Sequence, residues 1–275
     1  TTMAKLDDCC TQGFIDEGTP SGEDIVLAGN VNTYAARPST PNSSKAAVVI
    51  LTDIFGYTLV NSRLIADLLA KETGFPVFVP DLFEGDLLQS NIIDLVVEPS
   101  PSFFARARQA VRMISNVPSV FSWMKRHSME VITPILVRVI EDLKKSHGIE
   151  RIGCIGYCWG GRLSIQFGGS DYVSAYVAAH PSRVKLPDDL EKVKHPGLYI
   201  CAEKDMEFPP SYVEQAKAAL SKSGVPAEFV KYPGTSHGFA VRGDSKNETV
   251  RKAREEASLK AAEFFKAHLA VSSSS

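Results

Sequence analysis

The chain has 275 residues, 44% hydrophobic and 23% charged, a balance that builds a sizeable apolar core and excludes a disordered chain. Its net charge of -2 gives no broad basic surface for phosphates, so a small molecule is the expected partner, with neither nucleic acid nor membrane. Cys9, Cys10, Cys154, Cys158 and Cys201 are an odd set in a chain too long to need disulfide staples, and no apolar run reaches the roughly 18 residues of a membrane span; a reducing, cytoplasmic address is expected, with the chain a monomer or homodimer.

Asp24 to Leu27 and Val31 to Ala36 read as two short strands around Ala28-Gly29-Asn30, a hairpin signal. Ala46 to Leu51 is a continuous Val- and Ile-rich run, suited to a strand buried on both faces of a parallel sheet. A helical period over Asn61 to Glu72 stops at Gly74, and Pro76 to Val79 supplies the next strand. From Leu87 to Ser128 the rhythm breaks around Pro99, Pro101 and Pro118, with Phe103, Phe104, Phe121 and Trp123 among the pieces. This stretch is expected to be a helical insertion or cap at about 87–128, within a single domain spanning 1–275. Met129 to Ser146 is a long amphipathic helix. Strands Arg151 to Ile155, Ala175 to Ala179, Leu198 to Ala202 and Glu228 to Lys231 then alternate with helices from Gly160, over Tyr212 to Ser221 and over Thr249 to His268. The alternation predicts an α/β fold with a mostly parallel central sheet and helices on both faces.

The sharpest local signal is Gly156-Tyr157-Cys158-Trp159-Gly160-Gly161, directly after a strand and opening a helix. Such a turn is so tight that the positions two before and two after its centre must be small, as Gly156 and Gly160 are. It places Cys158 at a helix N-terminus, where the positive end of the dipole favours a thiolate. A glycine-rich turn around a structural cysteine has the same local pattern, so the partners decide. Asp205 and His237 each follow a later strand, and loops past the carboxyl ends of parallel strands meet on one edge. The order nucleophile, acid, histidine is that of the α/β-hydrolase fold. Cys158 is therefore the candidate nucleophile, His237 its base and Asp205 the group that orients the imidazole. His180 is the nearest rival histidine, since it too ends a strand. The amides of Trp159 and Ile54 are the expected oxyanion donors. No cysteine spacing matches a structural zinc site, and no phosphate loop or dinucleotide fingerprint is present, so neither metal nor cofactor is expected.

Asp53-Ile54-Phe55-Gly56, Val79-Pro80-Asp81-Leu82-Phe83, Gly156 to Gly161, Ala202-Glu203-Lys204-Asp205 and Ser236-His237-Gly238-Phe239 together resemble the dienelactone hydrolases, or carboxymethylenebutenolidases, from about Ala46 to the C-terminus. The resemblance implies opening of an ester or lactone through an acyl-cysteine, without a cofactor. By position it also implies that Asp53 helps to activate the resting thiol and that Arg242 binds a substrate carboxylate. Two alternatives stay open: another acyl reaction, such as thioester cleavage or ring rearrangement in a biosynthetic pathway, and a non-catalytic binding protein with a redox-sensitive Cys158.

Overall fold

The computed structural model describes residues 14–86, 118–119 and 121–270. The strands are β1 (Glu23–Leu27), β2 (Val31–Ala36), β3 (Ala46–Leu51), β4 (Val77–Pro80), β5 (Arg151–Tyr157), β6 (Ala175–Ala179), β7 (Gly197–Lys204) and β8 (Ala227–Ser236). They form one sheet in the order β1-β2-β4-β3-β5-β6-β7-β8. β2 runs antiparallel to β1 and β4, and every pairing from β4 through β3 to β8 is parallel. This is the expected α/β-hydrolase architecture, with a hairpin appended at one edge. In the β1–β2 turn Ala28 and Gly29 both have positive φ (50° and 83°), the backbone twist that a tight hairpin requires.

The helices are α1 (Val60–Thr73), α2 (Met129–Ser146), α3 (Trp159–Phe167), α4 (Pro210–Ser223), α5 (Phe239–Arg242) and α6 (Glu248–Leu269). Strand alternation splits the core into two layers. Ala47, Val49 and Leu51 of β3 pack on one face with Leu136, Val139 and Ile140 of α2, Leu163 of α3 and Leu220 of α4. Ala46, Val48 and Ile50 pack on the other with Ile65 and Leu69 of α1 and Phe264 and Phe265 of α6. Because both faces are covered, β3 reads as an unbroken apolar run.

Most of the expected cap at about 87–128 lies outside the described residues. Its described end, 121–126, is helical. There Trp123 is buried, donates from Nε1 to the Asp86 carbonyl (2.6 Å) and meets the Phe83 ring edge-on at 4.8 Å. Phe83 in turn meets Trp159 at 5.4 Å, so this end of the stretch is tied to the first turn of α3.

Candidate active site

The elements that matter are neighbours in the sheet. β3, β5, β6, β7 and β8 stand side by side and parallel, so the segments leaving their carboxyl ends gather at one edge. Asp53 and Ile54 follow β3, Cys158 follows β5, His180 and Ser182 follow β6, Asp205 follows β7 and His237 follows β8.

Cys158 has φ 52° and ψ -110°, a left-handed conformation that a non-glycine residue adopts only where its surroundings enforce it. The enforcement is steric and hydrogen-bonded. A Cβ on Gly156 would stand 1.9 Å from the Gly160 carbonyl oxygen, and one on Gly160 would stand 2.1 Å from that of Leu51. The Cys158 amide donates to the Ala179 carbonyl (3.1 Å), while its own carbonyl accepts from the Ser182 and Gly161 amides (2.9 and 3.0 Å). The sulfur lies 3.7 Å from the Ser182 hydroxyl.

Asp205 and His237 meet as an oriented pair. His237 Nδ1 lies 2.9 and 3.0 Å from the two Asp205 carboxylate oxygens, and both side chains are almost completely shielded from solvent. Asp205 Oδ1 also accepts from the Glu207 and Phe208 amides (2.9 and 3.1 Å), which fixes the carboxylate. His237 Nε2 is buried and makes no hydrogen bond of regular geometry among the described residues, yet the Cys158 sulfur lies close enough to act on it. Burial opposes a charge on His237, but the sulfur and the Asp205 carboxylate outweigh it and hold the imidazole pKa well above its ordinary value. An imidazole so placed can accept a proton from the thiol and retain it as imidazolium.

That shift has a consequence for stability. Folded His237 binds its proton more tightly than the unfolded chain, where 6.5 applies, so the stabilisation is complete below about pH 6.5 and fades as pH rises through the folded value. Urea unfolding of wild type and His237→Gln across pH measures it. The stability gap between the two proteins is expected to narrow above pH 6.5, and a widening gap would contradict the assignment.

His180 closes the site from behind. It is fully buried at φ 36°, with its ring edge-on to His237 at 5.1 Å. Burial first, then the positive charges of His237 and Arg242, drive its pKa well below the imidazole norm, so His180 is neutral.

Asp53 and Arg242 meet each other. Arg242 Nε donates to Asp53 Oδ2 at 2.6 Å with both side chains buried, Asp53 Oδ1 accepts from the Phe55 amide at 3.0 Å, and the guanidinium lies over the Phe55 ring at 4.5 Å. The Asp53 carbonyl takes the Gly56 amide (3.2 Å). Among the described residues no hydrogen bond joins Asp53 to Cys158, and none engages the Ile54 amide. Trp159, as the first residue of α3, has no preceding helical turn to accept from its amide. Breaking a buried ion pair from one side leaves a stranded charge. Arg242→Ala is accordingly expected to cost about 3–5 kcal/mol in urea unfolding, whereas an exposed pair such as Arg37 with Glu23 would cost less than about 1 kcal/mol.

Ser182 is the contact that sequence reasoning missed. A serine two residues past a strand has no distinctive pattern, and only its position beside the neighbouring strand's turn reveals it. Cys154 and Cys201 are buried free thiols whose pKa values burial raises, that of Cys201 to about 12, which makes them inert beside Cys158. Among the described residues no group of His, Cys, Asp and Glu is arranged to hold a metal ion, and no helix is long and apolar enough to cross a membrane.

Comparison with known proteins identifies the family. The model of the dienelactone hydrolase family matches residues 31–269. The chain is 30% identical over 261 residues to hydrolase pyvD of Aspergillus violaceofuscus, covering 95% of this chain and 96% of that one. It matches hydrolase tropI of Talaromyces stipitatus at the same identity and coverage. In fold it is similar to a putative dienelactone hydrolase from Klebsiella pneumoniae, with a TM-score of 0.61, 20% identity and coverage of 82% of this chain and 90% of that one. A family model over most of the chain and relatives alike almost end to end show that this protein belongs to the dienelactone hydrolase family, whose members are hydrolases acting on ester and lactone bonds.

Proposed function

We propose that the chain cleaves a small carboxylic ester or lactone through an acyl-cysteine intermediate on Cys158. The observation that carries this reading is the strained cysteine at the head of α3 with the buried His237–Asp205 pair beside it. His237 Nε2 takes the thiol proton, and the thiolate attacks the acyl carbon. The Trp159 and Ile54 amides receive the oxyanion, and the imidazolium returns its proton to the leaving alcohol oxygen. Water, deprotonated by the same imidazole, then releases the acid.

Asp53 and Arg242 act here as the pair that fixes the turn carrying Ile54, since Asp53 binds the Phe55 amide and Arg242 covers its ring. Phe83 touches both Trp123 and Trp159, so an aromatic group stands beside the turn that carries Cys158. Hydrolysis of p-nitrophenyl acetate with and without prior thiol alkylation tests the reading. Activity that survives stoichiometric alkylation of Cys158 overturns it.

A further inference from the structure

We propose that the Ser182 hydroxyl is a catalytic partner of Cys158, donating a hydrogen bond to the thiolate and favouring its formation. The inference rests on Cys158 as nucleophile and adds a residue to that site. Ser182 Oγ lies 3.7 Å from Cys158 Sγ, and among the described residues the sulfur is its hydrogen-bond partner. The residue is buried, so the hydroxyl proton has little access to water. Its position is imposed twice from the backbone: the Ser182 amide donates to the Cys158 carbonyl (2.9 Å), and the Cys158 amide donates to the Ala179 carbonyl (3.1 Å), at the end of the strand that leads to Ser182. His180 and Arg183, within two residues on either side, both have positive φ (36° and 57°), so the loop holds a strained path to bring the hydroxyl to the sulfur.

A hydroxyl can reverse its role in such a contact. Beside a neutral thiol it accepts from S–H, which is a weak donor. When the proton passes from Sγ to His237 Nε2, the sulfur can only accept. The hydroxyl keeps its own proton and turns to donate it to S⁻, and this charge-assisted bond is the stronger of the two. The contact thus stabilises the thiolate more than the thiol. The charged and titratable groups packed around this edge are His237, Asp205, His180, Asp53, Arg242, Arg183 and Glu207, whose carboxylate accepts from the Arg183 amide at 3.2 Å. Substitution at Ser182 alters none of their charges.

The test is the pH dependence of iodoacetamide alkylation at Cys158, read by peptide mass so that other cysteines are not counted. Ser182→Ala is expected to move the midpoint upward by about one pH unit, the size of one net charge-assisted hydrogen bond. Ser182→Thr, which keeps a hydroxyl, should remain near wild type. Turnover of p-nitrophenyl acetate by the alanine variant should fall about tenfold at neutral pH and recover as pH is raised. A merely structural serine would lower the rate at every pH and leave the midpoint in place, and that result overturns the proposal. If the alanine variant fails to fold, Ser182→Gly removes the same hydroxyl without adding volume and must show the same displacement. Loss of the nucleophile reading has its own signature, retained ester hydrolysis in Cys158→Ala, so the two failures are distinguishable.

Discussion

Cys158→Ala is expected to lower p-nitrophenyl acetate hydrolysis at least about a thousandfold, while the circular dichroism spectrum and unfolding midpoint stay close to wild type. The size follows from the role: Cys158 is the thiol that acts on His237, and removing the attacking atom of a triad costs as much as removing the whole unit. The small effect on the fold follows from the volume. A thiol replaced by hydrogen leaves only a small void, and the strained turn is enforced by Gly156, Gly160 and backbone hydrogen bonds rather than by the sulfur. Cys158→Ser should also be far below wild type, because a hydroxyl needs much stronger base assistance than a thiol. Retention of most activity by the alanine variant would sink the mechanism.

His237→Ala and Asp205→Asn are each expected to reduce kcat by roughly two to four orders of magnitude, and the double variant to lose little beyond the worse single. Asparagine is the informative replacement at 205. Its amide oxygen can still accept from the Glu207 and Phe208 amides, so the loop holds. Its NH₂ group, however, faces a ring nitrogen that must itself be a donor if Nε2 is to take the thiol proton. The imidazole is then pushed into the wrong tautomer. Steady-state kinetics of the three proteins decide the matter: multiplicative losses would mean that the two side chains do not work on one proton.

Much of this arrangement is legible in the sequence, for reasons that lie in particular residues. β3, β6 and α2 match their sequence patterns end to end, because unbroken apolar runs or a clean helical period define them, and β2 matches because the hairpin turn marks its start. β8 extends to Ser236, well beyond the pattern over Glu228 to Lys231, since Pro233 and Gly234 look like a stop. β8 is an edge strand, where a missing amide leaves one ladder bond toward solvent and a proline is tolerated. The four residues of α5 are too few to show a period. The gathering of Cys158, Asp205 and His237 follows from strand order, which alternation of elements already predicts. What strand order does not contain is side-chain pairing across it. Arg242 meets Asp53 and Ser182 meets the sulfur through ångström-scale loop paths that have no one-dimensional signature.

The Asp53–Arg242 contact also bears on how the site comes into being. It joins residues 189 positions apart in the chain. The cysteine turn needs β3, β5, β6 and α3, but its base arrives with β8, the last strand of the chain, and the tie to the first parallel strand closes later still. Contacts so distant in sequence form late, since the entropy of a long loop must be overcome before they contribute. A chain emerging from the ribosome therefore carries Cys158 for an interval in which His237 is not there to take its proton. The thiol acquires its base only when the last strand docks, so chemical reactivity and completion of the fold arrive together, and a half-made molecule is spared indiscriminate acylation.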